Sequence, residues 1–249
     1  MGSEKNIVIG FHPVIEAIST GKSIEKLFVR KGLKGEQFST LLKLAKENET
    51  AISFVPVEKL NRITGKNHQG VIAFISPVEY QSIFAIVPFL YESGKVPFIV
   101  ILDQITDVRN FGAIARTAES AGAHALVIPG KNSVSVTSDA IKTSSGALLR
   151  IPVCRHNSIS GVLTFLKESG LEIAAATEKG NSLYYKTDYT SPFGLIMGAE
   201  DKGIQKSLMQ YIDHEVKIPM IGETASLNVS VAFGVIAYEI CRQRLEQEG

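Results

Sequence analysis

What this 249-residue sequence lacks narrows its reading at once. Only two cysteines occur, Cys154 and Cys241, far apart and without CxxC spacing, so neither a disulfide framework nor a zinc site is suggested and a reducing, cytoplasmic setting is expected. No apolar run approaches the roughly 20 residues needed to span a bilayer. The opening MGSEKN has no basic segment leading into a signal-type core, and Asn6 stands where a myristoylation signal needs Ser or Thr. An excess of one charge is missing too. The formal net charge of +1 excludes the heavily basic class whose affinity for nucleic acid can be read from bulk charge, although it leaves room for a local basic patch. The histidines, His12, His68, His124, His156 and His214, are scattered, so no metal centre is expected. GxGxxG, the P-loop pattern, HExxH and GxSxG are all absent, which weakens dinucleotide-binding, kinase and ordinary hydrolase readings.

What is present is enough apolar sequence, 45% of residues, to bury one large core or two modest ones. From Asn6 to Ser76 short apolar runs alternate with helical patterns: IVIG, PVIEAIST, KLFV, EQFSTLLKLAKEN, ISFV, VEKLNRI and GVIAFI. That alternation predicts a small α/β domain over residues 1–76. Its joints are polar, with His12 and Pro13 after the first strand and Lys66, Asn67, His68 and Gln69 before the last. The second cluster reads either as a solvated turn or as an edge recognising a polar ligand such as RNA, with Arg30, Lys31 and Lys34 extending a basic rim.

Pro77, Pro88, Gly94 and Pro97 punctuate a boundary, and SIFAIVPFLYES within it predicts a packed helix in a 77–95 linker docked on one domain. A second domain over 96–249 opens with PFIVILD, which has the look of a strand buried on both faces of a parallel sheet. A helix is expected from about Asn110 to Ala121, then a strand HALVIP, a short helix near Asp139 to Ser144, and a strand RIPV. The helix SISGVLTFLKES, the strands LEIAAAT, FGLIMG and HEVKIP, and a closing helix follow, implying a mostly parallel sheet covered on both faces. The charged end from Arg242 to Glu248 is expected to run into solvent.

Ligands of open α/β sheets collect outside the carboxyl ends of the strands, so three strand-end stretches carry the functional question. In LDQITDVRNFGAIARTAESAGA, Asp103, Asp107, Arg109 and Asn110 precede a helix bearing Arg116. Arg116 is either a surface charge paired with an acid such as Glu119 or a guanidinium aimed at a phosphate or hydroxyl. In GLIMGAEDKGI, Gly198 permits close backbone approach, and Glu200 is expected to hold Asn, Arg or backbone N–H groups in place. In PMIGETASLNVSVAFGVIAYE, Gly222 supplies backbone freedom and Ser226 is placed to cap a helix. Leu227, Val231, Val235 and Tyr238 recur there at helical spacing, and Ser230, Ala232, Gly234 and Ala237 keep the surface small enough for another backbone to come close. Asn228 is the anomaly: an unpaired buried amide costs about 1–3 kcal/mol, so it should have a fixed partner.

Together NFGAIARTAESAG, IMGAEDKGI and IPMIGETASLNVSVAFGVIAYE resemble the three motifs of the SpoU family of RNA ribose 2′-O-methyltransferases in order, spacing and residue type. IGFHPVIEAI and NHQGVIAFI resemble the ribosomal-protein-like (L30e-like) substrate-binding domain of the branch that methylates a guanosine of large-subunit ribosomal RNA. The resemblance implies a C-terminal α/β domain whose parallel sheet carries a trefoil knot. It implies S-adenosylmethionine held by backbone groups around Thr177, Gly198, Ile218, Met220 and Leu227, and a homodimer. It gives Asn110, Arg116, Glu200, Ser226 and Asn228 as the catalytic and structural polar set. The family role of general base falls on Arg116, but a guanidinium does not lose its proton in proteins. Binding of the neighbouring phosphate, with the proton leaving to a phosphate oxygen or water, is the easier chemistry. A tRNA ribose methyltransferase and an RNA-binding protein without catalysis are the alternatives.

Overall fold

Two runs of alternating strands and helices, separated by a proline-punctuated stretch, fold in a computed structural model as two compact units, Met1–Glu79 and Tyr80–Gly249. The structure describes residues 7–48 and 50–248, the last without its side chain. In the first unit the strands are β1 (Ile7–Ile9), β2 (Ile24–Arg30), β3 (Ile52–Val55) and β4 (Val71–Ile75), and the helices are α1 (Phe11–Ser19), α2 (Glu36–Glu47) and α3 (Val57–Ile63). The sheet order is β1-β4-β2-β3, with β2 and β3 parallel and the other pairs antiparallel. Val14, Ile18, Leu27, Val29, Leu41 and Val71 form its core, the apolar faces that the helical and alternating patterns specify.

The second unit opens with α4 (Ile83–Glu92), which runs through Pro88 instead of breaking there. A proline inside a helix costs about 3 kcal/mol. Burial of Ile83, Val87 and Leu90 in the core offsets it, since each buried side chain of this size contributes about 1.5–3 kcal/mol. The strands that follow are β5 (Phe98–Asp103), β6 (Ala125–Pro129), β7 (Val153–His156), β8 (Glu172–Ala176), β9 (Ser182–Leu183), β10 (Phe193–Gly198) and β11 (His214–Lys217). They form one sheet in the order β7-β6-β5-β10-β8-β11-β9, and every pair is parallel. The central β5 is buried at all six positions, as a strand covered on both faces must be. Ile99 and Ile101 point into the cluster that contains α4 and α7 (Ile159–Glu168). The alternate residues Phe98, Val100 and Leu102 therefore belong to the other face, where α5 (Val108–Ser120) packs against α8 (Val229–Glu248). The remaining helix is α6 (Ser138–Thr143).

Several expectations shift. The strand expected over RIPV starts three residues later, at Val153–His156, because Pro152 offers no N–H to the ladder. The two-residue edge strand β9 is too short to leave a pattern. In α8 the buried residues are Val229, Phe233, Ile236, Ala237 and Ile240, whereas Val231 and Tyr238 are about half exposed, so the apolar face is rotated from the expected one. Nor does the charged end all run into solvent. Arg244 is half-buried and donates to the carbonyls of Tyr189, Val96, Pro97 and Ser191 at 2.9–3.0 Å, which pins the end of α8 beneath the start of β5. Burial pushes its guanidinium down to about 10, and carbonyl oxygens stabilise the charge that remains.

Candidate active site

The site grows from three turns at the carboxyl end of the second sheet. The first follows β5. Asp107 caps α5 by accepting from the backbone N–H groups of Arg109 at 2.9 Å and Asn110 at 2.8 Å, so the helix starts two residues before the expected Asn110. The cap fixes the angle at which the Asn110 side chain leaves the helix. Gly112, two residues on, has no room for a Cβ, which would lie 2.3 Å from the Thr143 hydroxyl oxygen; the motif glycine is there for helix packing between α5 and α6.

The second turn follows β10. A Cβ on Gly198 would sit 2.3 Å from the Gly203 carbonyl carbon, so the glycine lets the chain double back on itself over 199–203 and present Glu200. Asp103, fully buried at the end of β5, fixes this loop from below: its two carboxylate oxygens accept from Gln205 N at 2.7 Å and Gln205 Nε2 at 2.6 Å.

The third turn enters α8. Asn228, not Ser226, caps that helix, its Oδ1 accepting from Ser230 N at 3.0 Å and Ser230 Oγ at 2.6 Å. Ser226 lies exposed, three residues before the first helical residue and out of capping register. Gly222 also departs from expectation: its φ lies outside the positive region, and a Cβ there would meet open space.

The three turns converge on one carboxylate oxygen. Glu200 Oε1 accepts from Asn110 Nδ2 at 3.3 Å, from Val229 N at 3.1 Å and from Asn228 Nδ2. Asn228 Nδ2 also donates to Asn110 Oδ1 at 3.0 Å. Each side chain is thereby held by two others, and three segments distant in sequence share one hydrogen-bonded centre. Charge-assisted bonds of this kind are about twice as strong as neutral ones.

Arg116 is not brought to this centre within one chain. It lies six residues past Asn110, roughly 9 Å along the α5 axis and on another face, and it is exposed. Among the described residues no hydrogen bond or ion pair engages it. The acid proposed as its surface partner, Glu119, instead binds Arg150 at 2.7 Å, and that guanidinium holds the Glu119 carboxyl below its usual range. Thr177 and Ile218 directly follow β8 and β11 and Gly198 ends β10, so the three stand side by side at the ends of neighbouring strands. Met220 and Ser226 are exposed and Leu227 is half-buried. Among the described residues there is no group of three or more His, Cys, Asp or Glu side chains that could hold a metal ion, and no helix is long and apolar enough to cross a membrane.

A parallel sheet whose polar turns meet in this way defines the chain as an RNA methyltransferase once it is compared with known proteins. Residues 97–238 match the model of the SpoU rRNA methylase family, and residues 7–81 match that of the RNA 2′-O ribose methyltransferase substrate-binding family. The chain belongs to the SpoU rRNA methylase family. A TrmH family tRNA/rRNA methyltransferase of Staphylococcus saprophyticus is 34% identical over 97% of each chain, and its Bacillus subtilis relative YacO is 33% identical over 98% of each. The AdoMet-bound rRNA methyltransferase of Sinorhizobium meliloti is 25% identical, with a TM-score of 0.61 over 95% of this chain and 87% of that one. The SpoU methyltransferase AviRb of Streptomyces viridochromogenes, also crystallised with AdoMet, has a TM-score of 0.61 at 24% identity over 96% of this chain and 90% of that one, a likeness of fold.

Proposed function

We propose that this chain transfers a methyl group from S-adenosylmethionine to a ribose 2′-hydroxyl of RNA, with a guanosine of large-subunit ribosomal RNA as the preferred target. The observation that carries this reading is the meeting of Asn110 and Asn228 on one oxygen of Glu200, which joins the three family motifs into a single centre.

The residues fit the methyl donor. Among the described residues, no backbone-to-backbone hydrogen bond uses the N–H or C=O groups of residues 219–227, so this loop has donors and acceptors to offer. Thr177, Gly198, Ile218, Met220 and Leu227 would hold the ligand, which when bound supplies an electrophilic sulfonium methyl. Asn110, Glu200 and Asn228 keep the walls of the site in place, and Ser226 adds a hydroxyl on the same loop. Arg116 binds the phosphate next to the target ribose and orients its hydroxyl, whose proton leaves to a phosphate oxygen or water. Orientation of this kind accounts for a large part of the rate of in-line transfers.

A second copy of the chain completes the site on this reading. Val231, Tyr238 and Leu245 are more than half exposed and recur every seven residues along α8, an apolar stripe suited to homodimer contact near Arg116. The return of β10 between β5 and β8, after the chain has reached the far edge strand β9, supports a knotted connection. The first unit, over about residues 1–76, supplies an L30e-like RNA-binding domain, and residues 77–95 connect it to the catalytic domain. The setting is cytoplasmic.

The test is incubation with unmodified ribosomal RNA and tRNA plus labelled S-adenosylmethionine, followed by mapping of the alkali-resistant linkage. Label in large-subunit ribosomal RNA is expected. Label confined to tRNA overturns the substrate, and no label in either overturns the reading.

A further inference from the structure

One cleft in the second unit takes no part in the centre around Glu200. Its volume is about 640 Å³, within the range of sites that enclose a nucleotide-sized ligand. It lies at the carboxyl ends of β5, β6 and β7, where Gln104, Lys131, Asn132, Asn157, Gln210 and Tyr211 contribute to its lining. Gln205 also lines it, and its bonds to the buried Asp103 make that wall rigid.

The chemistry of the lining is unusual. It is rich in carboxamides, which both donate and accept, and it holds a single lysine and no carboxylate. A phosphate site would gather cations, and a site for an aliphatic ligand would gather apolar side chains. Carboxamides in number suit the edge of a nucleobase, where donors and acceptors lie side by side and an Asn or Gln can bond two at once.

Two of these amides are held at a conformational cost. Gln104 has φ of 58° and Asn132 has φ of 53°, the left-handed region that Gln seldom adopts and that Asn adopts at a smaller cost. Among the described residues the side-chain amides of both make no hydrogen bond, so the strained backbone is not repaid by contacts inside the chain. Such strain gathers where a side chain must be presented to a ligand.

The cleft borders the proposed methyl-donor loops at β10. From β6 on one side to β8 on the other is three strand spacings, roughly 14 Å. A single RNA strand can lie across both. We propose that this cleft binds an unstacked base of the RNA substrate at a position flanking the methylated nucleotide, with Gln104 and Asn132 reading the base edge and Lys131 taking its phosphate. The inference rests on the RNA reading above.

Its test is made separable from that reading by titrating the full chain with nucleoside 5′-monophosphates and following the side-chain amide signals of Gln104, Asn132 and Asn157 by NMR. Saturable shifts are expected. They should be lost in a Gln104→Gly, Asn132→Gly double variant, which removes both amides while keeping residues that tolerate positive φ. In the methylation assay the same variant should raise KM for RNA several-fold and leave kcat and the affinity for S-adenosylmethionine unchanged. Signals that stay still, or that move equally with inorganic phosphate alone, overturn the proposal, as does an unchanged KM. If nucleotides bind here but no RNA is methylated, the proposed reaction fails and the cleft stands; if RNA is methylated but no amide signal moves, the cleft alone fails.

Discussion

Each unit carries a polar cluster at a turn, and the two clusters are bonded over very different ranges. In the first unit the His68 ring is buried, its Nδ1 accepting from Gly70 N at 2.9 Å and its Nε2 donating to Asn61 Oδ1 at 2.8 Å. Asn67 Oδ1 accepts from Gln69 N at 3.2 Å. These partners lie two to seven residues apart, and what they hold is the turn itself. In the second unit the bonds among Asn110, Glu200 and Asn228 join residues 28, 90 and 118 positions apart. A local network stabilises one loop, whereas a long-range network fixes three loops relative to one another, which is what a catalytic centre needs. The turn at 66–69 is thus divided: His68 turns inward, while Lys66 and Asn67 stay exposed, as Arg30 and Lys31 do.

The most severe test of the contrast is Arg116→Ala, because Arg116 belongs to neither network. Turnover should fall by about 10³-fold, the scale of losing one aligned charge-stabilising donor, while S-adenosylmethionine binding by calorimetry is nearly unchanged. Equal losses of rate and of cofactor affinity would refute that division of roles. Next is Glu200→Ala, which removes the acceptor of two amides and one backbone N–H. Methyl transfer in single turnover should fall by about 10²-fold, consistent with misplacement of a positioned site. Stability in urea should fall by only about 1–2 kcal/mol, because the released donors reach water. A stability loss without a rate loss would make the cluster a fold element and nothing more. His68→Ala should do the reverse, costing the first unit about 2 kcal/mol and leaving cofactor affinity in the second untouched. A change in cofactor affinity there would break the contrast.

The sequence carried these outcomes unevenly. Strands such as β5 and β10 are legible because a continuous apolar run has few other places to go. Glu200 was legible as a residue needing donors, and Asn228 as one needing a partner. Yet both are exposed, so their pairing comes from the charge of Glu200 and the cap at Asn228 and not from the expected burial. Which donors and which partner depended on the sheet order, and no local pattern encodes that a segment near 200 meets one near 110. The α8 cap was misplaced because Ser226 and Asn228 are equally good caps on chemistry alone, and the choice is made by Glu200. Asp107, an Asp three residues before Asn110, is the cap that pattern reading could have found. Arg244 was out of reach, since the four carbonyls that accept from it come from residues 96–97 and 189–191. The amides of Gln104 and Asn132 gave no signal either, because neither their positive φ nor their common cleft is written in residue type.

The smallest effect tests whether a histidine ring plays a like part in the second unit, there across 26 residues of sequence. His124 Nδ1 accepts from Phe98 N at 3.0 Å at the amino end of the sheet, the part that His68 Nδ1 plays in the first unit. Burial, with the charges of Arg244 and Lys95, pushes the His124 imidazolium down to about 4. An unfolded histidine titrates near 6.5, so between about 6.5 and 4 the unfolded chain binds the extra proton and the folded one does not. Stability from this group is therefore full above pH 6.5 and drains away as pH falls to 4. The full shift is discounted here because the ring is partly exposed, leaving about 1–2 kcal/mol. Carboxylates titrate in the same window, so the quantity to measure is the difference in urea stability between the parent protein and His124→Gln at pH 7 and at pH 4. That difference should shrink on acidification. If it holds constant, the ring is not what links β5 to pH, and the likeness between the two histidines ends at geometry.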